Sequence, residues 1–345
     1  MAQQHFLLSA RARTLSIRQV LAWTDEEAFQ AFKEVRWGSG GVVCPDCGSV
    51  NSHYFIRVRK QWRCKDCHHT FSVTSRTIFA HHKLPLKVYL AAIALFTNAV
   101  KGLSALQLGR DLGVQYKTAF ILAHKIRQSL IDQRDDSTPL IGEVHVDGAY
   151  FNHYVRPKNK KVNRVDRRLA KNQKSEQRCV LVFRQLASAL NATLDSPTTG
   201  SNRTLTFVVK SENATDVKAL ADRFLSSEAV VHADEAPAYN ILHSKFKTKR
   251  VEHKAMYQTE DGVNTNQAES YFARLRRMQH GQTHHFGNEY LANYANEVAY
   301  REDTRRWANG KIFKDILTKC LQTRTHRDWC GYWQGNKTKV ERLVY

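Results

Sequence analysis

The amino-acid sequence predicts a mixed α/β protein built from several modules, with a helix-flanked sheet in its second half. Three observations carry that expectation. Two tight cysteine pairs mark a small metal-built module near the N-terminus. Apolar residues between 84 and 131 follow helical spacing. From about residue 140 the period becomes strand-like, and two of the strand-like segments finish on an aspartate. At 345 residues the chain is long for one compact domain, and 42% hydrophobic content is enough for a sizeable core.

Charge narrows the function classes. A formal net charge of +21 and a pI near 9.8 point to a polyanionic partner, of which nucleic acid is the commonest. A membrane is disfavoured. The best apolar run, Val88 to Val100, is interrupted by Thr97 and Asn98 and suits a buried helix. The N-terminus carries no charged-then-apolar signal pattern, so a cytoplasmic, nucleoid-associated protein is expected.

Five segments are expected. Residues 1–40 form an N-terminal helical segment, with a helix over 24–36 capped by Thr24 and Glu27 and presenting Ala28, Phe29, Phe32 and Val35 as its apolar face. Residues 41–80 form a zinc ribbon. Cys44-Pro-Asp-Cys47 and Cys64-Lys-Asp-Cys67 are separated by sixteen residues, so two tight turns can close one tetrahedral Zn2+ site. His53–Val58 and Gln61–Arg63 are strands of its hairpin, with Phe71-Ser72-Val73 after it. His68 and His69 are spare donors, since four thiolates already fill a structural site. Arg57, Arg59, Lys60, Arg63 and Lys65 favour DNA as the ribbon's partner, and protein docking stays open. Cys179, Cys320 and Cys330 are expected as packed thiols.

Residues 81–137 form a helical, helix-turn-helix-like region: Leu103–Leu112, a Gly113-Val114 turn, then Gln115–Leu130. Leu106, Leu112, Val114 and Ala119 are its expected packing positions, and Lys117 and Lys125 its expected DNA contacts. Two packed helices with no DNA role fit the same pattern.

Residues 138–308 form the catalytic domain. Strands end at Asp147, span Cys179–Phe183 and Leu205–Val209, and end again at Asp234, with a fifth over Lys249–His253. Helices cover Thr215–Leu225 and Asn264–Met278. Three strands, helix, strand, helix, strand, helix is the order of a ribonuclease H-like fold. Arg156 to Arg178 holds ten Lys or Arg and two acids. It suits a solvated loop, a phosphate-gripping arm, or both, with Lys158, Lys160, Lys161, Arg164, Arg167 and Arg168 as DNA contacts. Residues 309–345 form a basic aromatic tail with Trp329, Tyr332 and Trp333.

Asp147, Asp234 and Glu269 are the candidate catalytic acids, Glu269 lying 35 positions after Asp234 on the last helix. Phosphodiester exchange is slow because the anionic phosphate repels nucleophiles, and two Mg2+ (or Mn2+) ions held by carboxylates overcome this. Asn266 and Arg276 share the helix face of Glu269 as supporting residues, Arg276 either holding a DNA phosphate or forming a surface ion pair. His145 and His232 each precede an Asp by two, and packing beneath the site is favoured over metal ligation.

These motifs resemble a known group. Arg36-Trp37, Cys44-Pro-Asp-Cys-Gly48, Trp62-Arg-Cys64, Thr77-Ile-Phe79, Val146-Asp147-Gly-Ala-Tyr150, His232-Ala-Asp234 with Ala238-Tyr239, Asn264-Thr-Asn266-Gln-Ala-Glu269-Ser270 and Arg301 are similar to the bacterial insertion-sequence transposases with an N-terminal zinc ribbon and an ISXO-type DDE catalytic domain. The similarity runs from about residue 20 to about 307. It implies metal-dependent cleavage at the ends of a mobile element and strand transfer into target DNA, by at least a dimer acting on terminal inverted repeats. Gly148 stands where the family commonly has a second acid, and Arg276 where it usually has lysine. Some relatives use asparagine as the third acid, which leaves the role of Asn266 against Glu269 open. A non-catalytic DNA-binding regulator, or a ribonuclease H-like nuclease that cuts without joining, are the competing functions.

Overall fold

The structure, a computed structural model, describes residues 6–151, 160–163, 177–191, 199–251, 264–331, 335 and 340–343. The chain divides into two compact units: Met1–Arg134 with Arg306–Thr338, and Asp135–Arg305 with Lys339–Tyr345. No helix among the described residues is long and apolar enough to cross a membrane.

The first unit opens with α1 (Ile17–Ala22) and α2 (Asp25–Trp37). The Thr24 side chain accepts from Glu27 N, and the Glu27 carboxylate accepts from Thr24 N, so the expected capping box closes. Three antiparallel strands follow, β1 (His53–Ile56), β2 (Gln61–Cys64) and β3 (Thr70–Phe71). β1 stops two residues earlier than expected because Arg57–Arg59 coil into a 3-10 turn. The ribbon leans on α2 through aromatic rings: Trp62 stacks on Phe29 at 5.6 Å and meets Trp37 edge-on at 5.1 Å. Arg36 ties the two together, donating to the Ser72 and Ser75 carbonyls at 2.9 and 2.7 Å.

Helices α3 (Leu86–Asn98), α4 (Ala105–Leu112) and α5 (Tyr116–Asp132) complete the N-terminal part of this unit. Ser104 caps α4, and Gly113, at φ +65°, turns the chain into α5. Of the expected packing positions Ala119 is buried, Leu112 and Val114 are half-buried, and Leu106 faces outward. Leu106 is 52% exposed, and contact is made through Leu108 and Gly109. A Cβ on Gly109 would lie 3.1 Å from the Val114 carbonyl and 3.4 Å from Ala119 Cβ, so glycine sets how closely α4 approaches α5.

α5 is buried at every residue from Ile121 to Leu130. Its cover includes α9 (Asn309–Gln322) and α10 (Arg327–Cys330), in the region expected to be a tail. Trp329 stacks on His124 at 5.0 Å and donates its indole N–H to Gln128 at 3.2 Å.

The second unit is a five-stranded sheet in the order β6-β5-β4-β7-β8. Its strands are β4 (Glu143–Phe151), β5 (Arg178–Leu186), β6 (Ser201–Val209), β7 (Val230–Asp234) and β8 (Lys247–Val251). β4 pairs antiparallel with β5, β5 antiparallel with β6, and β4 parallel with β7. This is the mixed sheet of a ribonuclease H-like domain. Alternation sends Val144, Val146, Leu181 and Phe183 toward a core with α6 (Ala214–Phe224) and the 3-10 helix Pro237–Ser244. Ala149, Phe151, Val180 and Val182 face the opposite core with α7 (Asn266–Met278) and α8 (Asn288–Asp303). The fifth strand starts two residues before the expected Lys249. His253 lies outside the described residues.

Candidate active site

β4 and β7 run side by side only as far as the His145–His232 pair. β4 does not end at Asp147 as expected: it continues to Phe151 as a hairpin partner of β5. Asp147 therefore emerges two residues beyond the last β4–β7 pair, where the two strands part, and Asp234 ends β7. Strand parity puts both on the face that carries α7, whose first turn holds Glu269.

The electrostatics of Asp147 register this gathering. Its carboxyl is pushed up to about 7, first by burial and then by the negative charge of Asp234, Glu212 and Glu269. Asn266, Glu269 and Arg276 form an exposed stripe on α7. Arg276 lies 6.0 Å from the ring centroids of both Phe151 and Phe272, at the same end of the sheet.

His145 and His232 lie beneath the acids, stacked at 5.0 Å. His145 Nδ1 accepts from Gln267 N at 3.4 Å, and burial with His232 beside it pushes the ring down to about 3, so it is neutral. Arg184 of β5, almost wholly buried, donates to the Gln267 carbonyl at 2.6 Å. The sheet thus holds both backbone polar groups of the residue between Asn266 and Ala268. Behind it, Glu302 pairs with Arg184 and with Arg274, and Asp303 accepts from Thr204 N and Oγ1 at 2.8 and 2.7 Å. Arg301 pairs with buried Glu297 inside α8.

Glu212, between β6 and α6, was not among the expected acids. β6 runs in the same direction as β4 and β7, so its following loop reaches the same end of the sheet. Tyr239, fully buried, donates its hydroxyl to Glu212 Oε1, and Glu212 N donates to Tyr150 Oη at 3.0 Å. The signal in the sequence was an acid three residues past a strand; the tyrosines that fix it come from distant segments.

Hard oxygen donors suit Mg2+ or Mn2+, and carboxylates whose charge raises the proton affinity of Asp147 are a donor set a cation would relieve. The neutral histidines are engaged by packing and by Gln267 N. Among the described residues, the four cysteines are the only group of three or more potential ligands whose donor atoms lie within 4.8 Å of one another. The acids share one end of the sheet without forming one closed coordination sphere.

The cysteines do form such a group. Cys44 and Cys67 sulfurs lie 3.6 Å apart, as do those of Cys47 and Cys64. Four sulfurs at about 2.3 Å from a tetrahedral zinc would stand about 3.8 Å from each other, so the cluster fits a structural Zn2+. The remaining cysteines, Cys179, Cys320 and Cys330, are free thiols, the first two buried.

The expected DNA contacts divide. Lys117 is exposed at the start of α5, and Lys160 and Lys161 are exposed on a short 3-10 turn. Lys125 is buried in the middle of α5 at 8% exposure, so it presents no surface for DNA. Lys158, Arg164, Arg167 and Arg168 lie outside the described residues.

Comparison with known proteins agrees with this architecture. Residues 139–303 match the ISXO2-like transposase domain, and residues 23–70 match the transposase zinc-ribbon domain. A stretch of 129 residues, 37% of the chain, is 30% identical to the "Uncharacterized protein in transposable element ISH50" of Halobacterium salinarum, and spans 42% of that protein's length. The first match contains the whole sheet with Asp147, Asp234 and the helix of Glu269, and the second contains α2 and all four cysteines. The second unit is thus similar to the ISXO2-like transposase domain, and the cysteine module to the transposase zinc ribbon.

Proposed function

We propose that this chain is a transposase that cuts DNA at the ends of its own mobile element and joins the freed 3′ ends to target DNA, with Asp147, Asp234 and Glu269 as its catalytic acids. The observation that carries the reading is their position: two aspartates on neighbouring parallel strands at the point where those strands part, with the glutamate's helix packed on the same face. Two divalent cations held by these carboxylates, Mg2+ or Mn2+, would activate the attacking water or 3′-hydroxyl and stabilise the leaving oxygen.

The chain's own contribution is to hold and orient. Asp147 and Asp234 are fixed by the sheet, while Glu269 is fixed through the first turn of α7. Asn266 and Arg276 flank it on one exposed stripe, where an amide and a guanidinium can hold a DNA phosphate. Lys160 and Lys161 grip the backbone of the bound strand. Recognition of element ends falls to the ribbon, through exposed Arg57, Arg59 and Arg63, and to the α4–α5 turn, through Gln115, Tyr116 and Lys117. Two element ends require at least two copies of the chain.

Asp147→Ala and Asp234→Ala are expected to bind element-end DNA with affinity within a few-fold of wild type while Mg2+-dependent cleavage falls to background. Cleavage undiminished in either variant would overturn the site assignment. Pre-cleaved 3′ ends supplied to the wild-type chain separate transposition from simple nuclease action: joined products support it, and cleavage without joining refutes it.

A further inference from the structure

We propose that Glu212 is a fourth carboxylate of the metal site, with Oε1 held by Tyr239 and its second oxygen left to take a divalent cation beside Asp147. The inference rests on the reading of Asp147 and Asp234 as metal ligands and extends it to a residue outside the DDE triad.

Three features of the fold fix Glu212 at this end of the sheet. The first is the strand direction already described, which delivers the end of β6 to the end of the sheet where Asp147 and Asp234 emerge. The second is Gly148, the residue after Asp147. A Cβ at that position would lie 2.6 Å from Glu212 Oε1, 2.9 Å from its Cδ and 3.0 Å from Cys179 Sγ. Any side chain there would displace the carboxylate, so glycine keeps the space it occupies against β4, on the α6 face of the strand, opposite to the Asp147 side chain. The third is a pair of tyrosines. Tyr150 lies three residues after Asp147 and accepts from the Glu212 backbone; Tyr239 lies five residues after Asp234 and donates to the Glu212 side chain. Each segment that carries a catalytic aspartate therefore also carries a tyrosine that fixes Glu212.

The chemistry points to a cation. Burial, and the charge of Asp234, raise the proton affinity of the Glu212 carboxyl; the Tyr239 hydroxyl works against them, and it engages only one of the two oxygens. Glu212 is half-buried and adds its charge to the repulsion on Asp147. Among the described residues no lysine or arginine forms an ion pair with it. A preorganised carboxylate at the end of the sheet where Asp147 emerges, whose charge acts on Asp147 and which no described basic side chain neutralises, is one that a divalent ion can complete.

The test is Mn2+ binding to the full-length, zinc-loaded chain in the absence of DNA, followed by the loss of the free Mn2+ electron paramagnetic resonance signal. Asp147→Asn and Asp234→Asn serve as references, and strand cleavage is measured in parallel. Glu212→Gln, which keeps shape and loses charge, is expected to weaken Mn2+ binding about tenfold or more and to raise the Mn2+ concentration for half-maximal cleavage similarly. Gly148→Ala, which displaces the carboxylate without removing it, is expected to do the same. The double variant should be no worse than either single one, a non-additivity that general loss of stability would not produce. Loss of binding in Asp147→Asn and Asp234→Asn with wild-type binding in Glu212→Gln overturns the assignment of Glu212 alone. Wild-type binding in Asp147→Asn and Asp234→Asn overturns the underlying site reading, and this assignment with it.

Discussion

Asp147 carries its proton up to about pH 7 in the folded chain against an ordinary value of 3.8, so folding takes up a proton between those two values. Because the folded value is the raised one, the side chain imposes no penalty below about pH 4. Stability then falls as pH rises through the window, and the full penalty stands above about 7. Asp147→Asn removes the charge and keeps an oxygen to accept from Gly148 N, a bond of 2.7 Å in the native chain. In Mg2+-free, zinc-containing buffer at pH 8 the variant should melt a few degrees above wild type, from roughly 1–3 kcal/mol once partial solvent exposure is allowed for. Near pH 4 the two should coincide, and Mg2+ should raise wild type only. A variant less stable than wild type at pH 8 would show that like-charge repulsion does not dominate there. At this scale the sequence was uneven as a guide. The two aspartates stood out because a strand pattern ends on each, whereas Lys125 read as surface charge although every residue from 121 to 130 is buried. Glu212 depends on Tyr150, Tyr239 and Gly148, contacts that only the sheet topology brings together.

Glu269 is placed by its helix, and α7 is held through the backbone of one residue, Gln267. His145 meets Gln267 N and Arg184 meets Gln267 O, so β4 and β5 fix the first turn from both sides. Arg184→Met would take the guanidinium from the Gln267 carbonyl and leave Glu302 with a weaker set of partners, at about 3–5 kcal/mol of stability. If Arg184 positions Glu269, the Mg2+ concentration for half-maximal cleavage should also rise several-fold. Thr204→Val removes the hydroxyl bond to Asp303 and keeps the backbone one, costs stability in the same network, and should leave that concentration unchanged. Equal shifts in the two variants would reduce Arg184 to a structural role. The elements themselves were largely legible: strand-like apolar segments located five strands, and the Thr24 and Glu27 pair located a helix start. Strand ends were less so. β4 runs past Asp147 because β5 continues to pair with it, and no local signal distinguishes that from an ending. On α4, Leu106 and Leu108 are equally apolar, and the close approach of Gly109 to α5 decides which one is buried.

At the scale of the molecule, the sheet-bearing unit is inserted into the helical one: the chain leaves the first unit at Arg134 and re-enters it at Arg306. Helical spacing of Phe313, Ile316, Leu317, Cys320 and Leu321 is present in the sequence, but their partners lie about 190 positions earlier, beyond the reach of any local pattern. The returning helices are core rather than tail. Trp329, at 2% exposure, fills the space beside His124 and satisfies the buried Gln128 amide. Trp329→Ala should therefore cost about 3–5 kcal/mol, and the loss should fall on one unit. Hydrogen exchange read by mass spectrometry locates it. Peptides from α3, α5 and α9 should exchange faster in the variant, while those from β4, β5 and β6 keep wild-type protection, since each unit has its own core. Faster exchange spread evenly over the sheet would mean that the two units unfold as one. No change in α5 would mean that Trp329 is not the side chain that closes its buried face.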